Sequence, residues 1–279
     1  MGKEKRKVEW AFDFDDVGNR VGQFFNDVIG SDIELETAEL DVPLDGATSA
    51  SVNVNFSVGR ANVVALAHDS DNAFEAEITY VGEYVFDVKG TDKKEISLRQ
   101  KGSFPRGFGR IFGNTQDLIW NIALSQNIPY SLKLNGGVGE TDIDLTNLTV
   151  TKLRMETGVG KVTLTMPIQD EPIEASINGG VGKTDVIVPA GVAGKLDIEG
   201  GVGAVDVVVA PHAAIRVKAN AGLGGINLPK EFKQTKGTGN FIGMSGVWET
   251  PNFEDSDQQI VIHYDGGVGS FRLKTFEVV

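Results

Sequence analysis

Cysteine is missing from all 279 positions. That excludes disulfide bonds, thiolate metal sites and cysteine nucleophiles together, and it leaves the redox compartment unmarked. Positive charge is also in deficit: 26 Lys and Arg stand against 39 Asp and Glu, for a formal net charge of −13. A nucleic-acid partner needs a concentrated basic surface, so none is expected. Adsorption to anionic lipid is disfavoured on the same ground. No apolar run reaches the roughly 18 residues of a spanning segment, so no integral membrane segment is expected. The opening "MGKEKRKVEW" has basic residues without an apolar stretch behind them, unlike a signal peptide, and Arg6 stands where a myristoylation motif has Ser or Thr. Together these absences point to a cytoplasmic chain, with any membrane association coming through a partner. The three histidines, His68, His212 and His263, share no metal-ligand spacing, and "GMSGV" lacks the spacing of a nucleophile elbow. No catalytic residue, metal or cofactor is expected.

Glycine, by contrast, is abundant at 35 residues, and much of it recurs in register. Aligned on a small-Val/Leu-Gly core, the chain contains "LNGGVGETDIDL", "METGVGKVTLTM", "INGGVGKTDVIV", "IEGGVGAVDVVV" and "ANAGLGGINLP", centred on Val138, Val159, Val181, Val202 and Leu223. The steps between centres are 21, 22, 21 and 21 residues. A further copy, "YDGGVGSFRLK", is centred on Val268, and a weak early one on Val58. Three and five residues after each centre stand pairs such as Thr184 and Val186, or Val205 and Val207. Four and six before it stand pairs such as Ile177 and Ala175, or Ile198 and Leu196. Polar residues fill most places between. Alternation on both sides of a glycine turn predicts strand, turn, strand, with one face of each strand inward. A unit that cannot bury its own face, repeated every 21 or so residues, predicts an all-β fold of the β-solenoid type. Equivalent residues would then stack about 4.8 Å apart.

The copy "SINGGVGKTD" at 176–185 mimics a phosphate-binding loop. The P-loop spacing needs Gly where Ile177 stands, and the ParA-like variant needs Lys where Asn178 stands. A phosphate cradle also leads into a helix, whereas "DVIVPAG" reads as a strand ended by Pro189. A nucleotide site is therefore not expected here. Nor does "GGVGETD" fit a calcium nonapeptide, because the period is wrong and Thr141 fills the aspartate slot. A small-molecule ligand is not expected elsewhere either.

The outward ladders carry the remaining polar candidates. Three before the centres stand Asn135, Glu156, Asn178, Glu199, Asn220 and Asp265; in sequence order the first of these alternate amide and acid, which keeps like charges apart. Four after the centres, Asp185 and Asp206 are expected on adjacent coils with no neutralising residue between them. A carboxylate groove of the kind polysaccharide-cleaving β-helix enzymes use competes here with a solvated sheet face. Two outward positions break the polar rule: Ile187 and Val208 predict an apolar spot on adjacent coils and a possible interaction site.

Before the repeats, residues 14–29 have helical periodicity. Phe14, Val17, Val21, Phe24, Phe25, Val28 and Ile29 fall within an arc of about 140°. Asp13 and Asp16 suit a helix start, and Gly30-Ser31 supplies the stop. The polar face holds one cation, Arg20, so this amphipathic helix suits a cap or a protein contact better than a membrane surface. The expected organisation is a tail and helix at 1–30, an irregular β part at 31–130, and the regular repeat at 131–279 with an insertion at 233–257.

The run "DLIWNIALSQNIPYSLKLNGGVGETDIDLTNLTVTKLRMETGVGKVTLTMP", residues 117–167, resembles the bacterial toastrack domain, and "DQQIVIHYDGGVGSFRL" is similar to its last coil. The resemblance spans about residues 33–275. It implies a β-solenoid near the C-terminal domain of LiaF-type cell-envelope stress regulators and near adhesin-like proteins, with no catalytic residues to carry over. The chain departs from the LiaF type in lacking transmembrane helices. The expected function is non-catalytic: protein–protein interaction or self-assembly first, an envelope-stress regulatory module second, a polysaccharide-acting β-helix protein third.

Overall fold

The computed structural model describes residues 35–101, 118–238 and 244–276. The amphipathic stretch from Phe14 to Ile29 lies outside the described residues. Sixteen strands and no helix are present among those described: β1 (Glu36–Pro43), β2 (Ser49–Ala65), β3 (Asn72–Tyr80), β4 (Glu83–Lys89), β5 (Lys93–Lys101), β6 (Ile119–Leu124), β7 (Tyr130–Asp144), β8 (Val150–Glu156), β9 (Val159–Thr165), β10 (Ile173–Asn178), β11 (Val181–Val188), β12 (Gly194–Val209), β13 (Ala214–Asn227), β14 (Lys233–Thr238), β15 (Met244–Glu249) and β16 (Gln259–Thr275). No helix among the described residues is long and apolar enough to cross a membrane.

The repeat stacks in parallel register. Val159 pairs with Val138, Val181 with Val159 and Val202 with Val181. On the other arm Leu153 pairs with Leu132, Ala175 with Leu153 and Leu196 with Ala175. The inward ladders are buried as the alternation predicts: Leu153, Ile177, Leu164, Val186, Leu196 and Val207 are 0% exposed. Burying each such side chain contributes roughly 1.5–3 kcal/mol, which is what makes a stack of individually marginal coils stable.

The glycine segment is not a loop between two strands in every copy. β2, β7, β12, β13 and β16 run through it as continuous strands that bend there. In β16 the rings of Tyr264 and Phe271 lie 4.7 Å apart. Seven residues of straight strand would separate them by roughly 23 Å, so the chain folds back across the corner and packs its two arms face to face. Glycine is required at that bend. Gly203 has φ +144°, and a Cβ there would sit 1.7 Å from the carbonyl oxygen of Gly182 on the adjacent coil.

The order of coils corrects the sequential stack. β16 inserts between β12 and β13, parallel to both. Val268 therefore stands between Val202 and Leu223, although it follows Leu223 by 45 residues in sequence. The segment 233–257 supplies β14 and β15, an antiparallel pair that extends the first arm of β13 and covers its edge. At the other end β2 receives β5 on one arm and β6 on the other, and antiparallel β4, β3 and β1 complete the two sides.

Candidate interaction site

The strand geometry fixes what the sequence pattern left open about the repeat centres. Inward-facing side chains occupy both arms, so the central residue of each corner projects outward. Val159, Val181, Val202, Val268 and Leu223 are 50, 51, 52, 48 and 61% exposed. They lie in direct register on five successive coils, so they form one apolar ridge of about 19 Å at roughly 4.8 Å per coil. The flanking glycines have no side chains to cover it. Sequence periodicity located these residues but assigned them no role; glycine on both sides of each valine was the signal that nothing local could shield it.

The ridge changes character at one end. Its next members, Val138 and Val58, are half-buried and 6% exposed, because Leu35, Val81 and Leu118 pack over them. Apolar side chains from elsewhere in the chain thus already cover the head of the ridge and stop there.

Beside the ridge runs a charged cluster. Asp185 and Asp206 are neighbours, as expected, but two cations neutralise them. Arg272 donates two hydrogen bonds to Asp206, Nε to Oδ1 at 2.6 Å and Nη2 to Oδ2 at 2.8 Å. Lys183 Nζ lies 2.6 Å from Asp185 Oδ1 and 3.4 Å from Asp206 Oδ2. Arg272 arrives because β16 sits against β12, and Lys183 because it shares a face with Asp185 two residues on. Burial alone would push the Asp206 carboxyl up; the Arg272 hydrogen bonds, with Lys183 behind them, outweigh it and hold the carboxyl below its ordinary value. The hydrogen bond to Asp185 likewise raises the Lys183 ammonium. This also disposes of the phosphate cradle: Lys183 is engaged by carboxylates, Thr184 faces the core at 7% exposure, and β11 continues as a strand to Val188.

The outer polar ladder is rearranged by the same insertion. Glu199 lies beside Asp265, and Asp265 beside Asn220, so the alternation of acids and amides breaks at β16. His263 also faces outward, between Asp197 and Lys218. Its Nδ1 is 3.0 Å from Asp197 Oδ1, so Nδ1 carries the proton that Asp197 accepts. Nε2 is buried without a partner among the described residues. Burial, with Lys218 and Lys195 nearby, outweighs Asp197 and lowers the imidazole pKa, so the pair is a neutral hydrogen bond rather than an ion pair.

Ile187 and Val208 are paired in register and half-exposed, between Thr165 on β9 and Lys274 on β16. The structure brings these two together; it places them on the second arm, away from the ridge. No group of His, Asp or Glu with metal-holding geometry occurs among the described residues. The crevice inside the corner, lined by residues such as Met155, Thr184 and Tyr264, has a volume of about 40 Å³. That suits a few waters and falls well short of the roughly 300 Å³ of a drug-sized site.

Two-armed parallel coils, glycine corners and antiparallel ends define a β-solenoid of stacked racks. The chain belongs to the toast-rack family: the family described as the N-terminal domain of toast_rack, DUF2154, matches residues 30–187. No curated protein matches the chain. Among solved structures, a candidate cell adhesion protein from Clostridium sporogenes is 22% identical, with a TM-score of 0.58, over 87% of this chain and 100% of that one. A candidate adhesin from Bacteroides fragilis is 13% identical, with a TM-score of 0.31, over 86% of this chain and 97% of that one. The first of these likenesses shows a shared fold.

Proposed function

We propose that this chain is a non-catalytic protein-interaction module and that the valine ridge is its contact surface. The observation that carries the reading is the ridge itself: five large apolar side chains, each about half exposed, in one unbroken line. Scattered exposed apolar residues are ordinary, whereas a contiguous apolar strip rimmed by charge marks a protein contact. The rim here is Glu156, Lys161, Lys183 and Glu199. The fold shared with an adhesion-type protein supports the same class of function. An envelope-stress role, which likeness to LiaF-type regulators implies, would present the ridge to a kinase or a membrane-bound partner.

The test compares the parent with Val181→Asp/Val202→Asp, a pair on the outside of the corner whose replacement leaves the core intact. Both are immobilised and exposed to extract of the native cell, and the mass of each is measured in solution. A protein retained by the parent and lost by the variant supports the proposal. Equal retention by both, together with equal mass, overturns it.

A further inference from the structure

Among the described residues the rack ends in four sheet edges, and three of them are guarded. The edge strand β1 carries Glu36, Glu39, Asp41 and Pro43; β4 carries Glu83, Asp87 and Lys89; β14 carries Lys233 and Lys236 beside a register shift. Charges, proline and bulges of this kind keep an edge from pairing with another chain. The fourth edge is the second arm of β13. From Leu223 to Asn227 it pairs with β16 on one side and with no strand on the other among the described residues. It reads Leu-Gly-Gly-Ile-Asn, without charge, proline or bulge. The first arm runs two strands further, through β15 and β14, so the second arm ends in a notch about 10 Å deep. Trp248 pairs with the buried Val217 and so faces inward, over the empty level. The core is open here. On β16 the inward residues Phe271 and Leu273 are 0 and 3% exposed, whereas the equivalent Ile226 and Leu228 of β13, like Trp248, are only partly buried.

We propose that this notch takes an extended segment of another protein as one further strand of the second arm. The rack itself defines the occupant. On every earlier coil the same edge is filled by a parallel strand. Each such strand turns two alternate residues inward, as with Val205 and Val207 or Phe271 and Leu273. A segment with apolar residues at alternate positions therefore pairs with the N–H and C=O groups that Leu223–Asn227 leave free, and covers Ile226, Leu228 and Trp248 at the same time. A second copy of this chain does not fit. If β13 paired with its own copy about a two-fold axis, both β14–β15 hairpins would lie on the inward side of the joint and fill the same space. In a head-to-tail stack β4 stands only one strand behind β1, so it would meet β14 before β1 reached β13.

The notch lies past the last coil of the ridge, and it does not depend on the ridge being a contact surface. Its probe is a synthetic peptide copying residues 268–275, VGSFRLKT, the strand that β13 already accepts on its other side. Two further versions are N-methylated at alternate residues, one along each edge of the strand. Side chains are then unchanged, and only one version keeps the edge that would face β13. Full-length labelled protein is titrated with each peptide and followed by NMR. The unmodified peptide should shift the amides of Leu223–Asn227 and the Trp248 indole, and should slow amide exchange along that edge several-fold. One methylated version should do the same, and the other should bind at least about tenfold more weakly, having lost its backbone hydrogen bonds. Equal binding by the two methylated versions would mean apolar contact without strand pairing and would overturn the proposal. So would shifts confined to Val181 and Val202, or no shift at millimolar peptide. Val181→Asp/Val202→Asp should accept the peptide as the parent does, so the ridge reading can fail while the notch stands, and the reverse.

Discussion

Replacing Asp206 with Asn separates a structural ion cluster from a merely tolerated pair of acids. Two carboxylates on adjacent strands would repel, and removing one would then stabilise the protein by up to about 1 kcal/mol. The geometry reverses that sign. The Asp206 side chain is 13% exposed and receives both Arg272 hydrogen bonds, with Lys183 Nζ at 3.4 Å. Hydrogen bonds to charged groups contribute about 1.5–3 kcal/mol when well shielded. Arg272 and Lys183 are 40 and 44% exposed, so solvent screens part of this. A net loss of about 1–2.5 kcal/mol follows, or a fall in Tm of about 2–4 °C for a chain of this size.

The pH dependence makes the argument sharper. Because the folded-state pKa of Asp206 lies below its unfolded value, its contribution is fully present above about pH 4 and is lost as pH falls through the folded value. Thermal melts of parent and Asp206→Asn should therefore differ by a constant amount from pH 8 to pH 5 and converge below about pH 4. In a double-mutant cycle with Arg272→Met, most of the loss should appear as coupling between the two sites. Asp206→Asn that melts with or above the parent at pH 7, or a gap unchanged into strong acid, would refute the reasoning.

Gly203→Ala should cost at least about 3 kcal/mol in a denaturant titration, because its φ is +144° and a neighbouring carbonyl fills the Cβ position; Gly225→Ala, where a Cβ meets nothing closer than 3.8 Å, should be near neutral. Tyr130→Phe should lose about 1–2 kcal/mol in the same assay, since the buried hydroxyl donates to Ala73 O at 2.6 Å and accepts from Ser125 N at 3.1 Å. Arg216 bonds Glu249 at 2.6 Å and stacks over Phe253 at 4.2 Å, so Arg216→Gln should speed hydrogen exchange in β14 and β15 roughly tenfold while leaving β8 and β10 unchanged. His263 should titrate by NMR below its ordinary pKa of about 6.5; its stabilising contribution is present above that value and lost as pH falls through the lowered one, so His263→Gln should flatten the stability profile in that window.

What was legible in the sequence was whatever one coil dictates by itself. Alternation such as Ala175–Ile177 and Thr184–Val186 states which way each side chain points, because strand parity is a local property; all four are buried. The stacking of successive copies was legible too, since a coil with one apolar face has only its neighbours to pack against. Which neighbour it takes is not local. Nothing near Val268 says that β16 enters between β12 and β13 rather than after β13, because all these coils present the same inward pattern and the same glycine corner. The consequence falls on the charged residues. Asp206 gains Arg272 and Glu199 gains Asp265 only through that insertion, so the sign of each interaction depended on coil order rather than on spacing. The ridge failed to be read for a different reason. Its valines set the phase of the whole alignment, yet alternation assigns a side only to residues within an arm, and the corner residue belongs to neither. Where the backbone turns between two buried faces, the residue at the turn must point away from both. A large apolar residue kept there on coil after coil serves no core, and its cover must come from outside the stack.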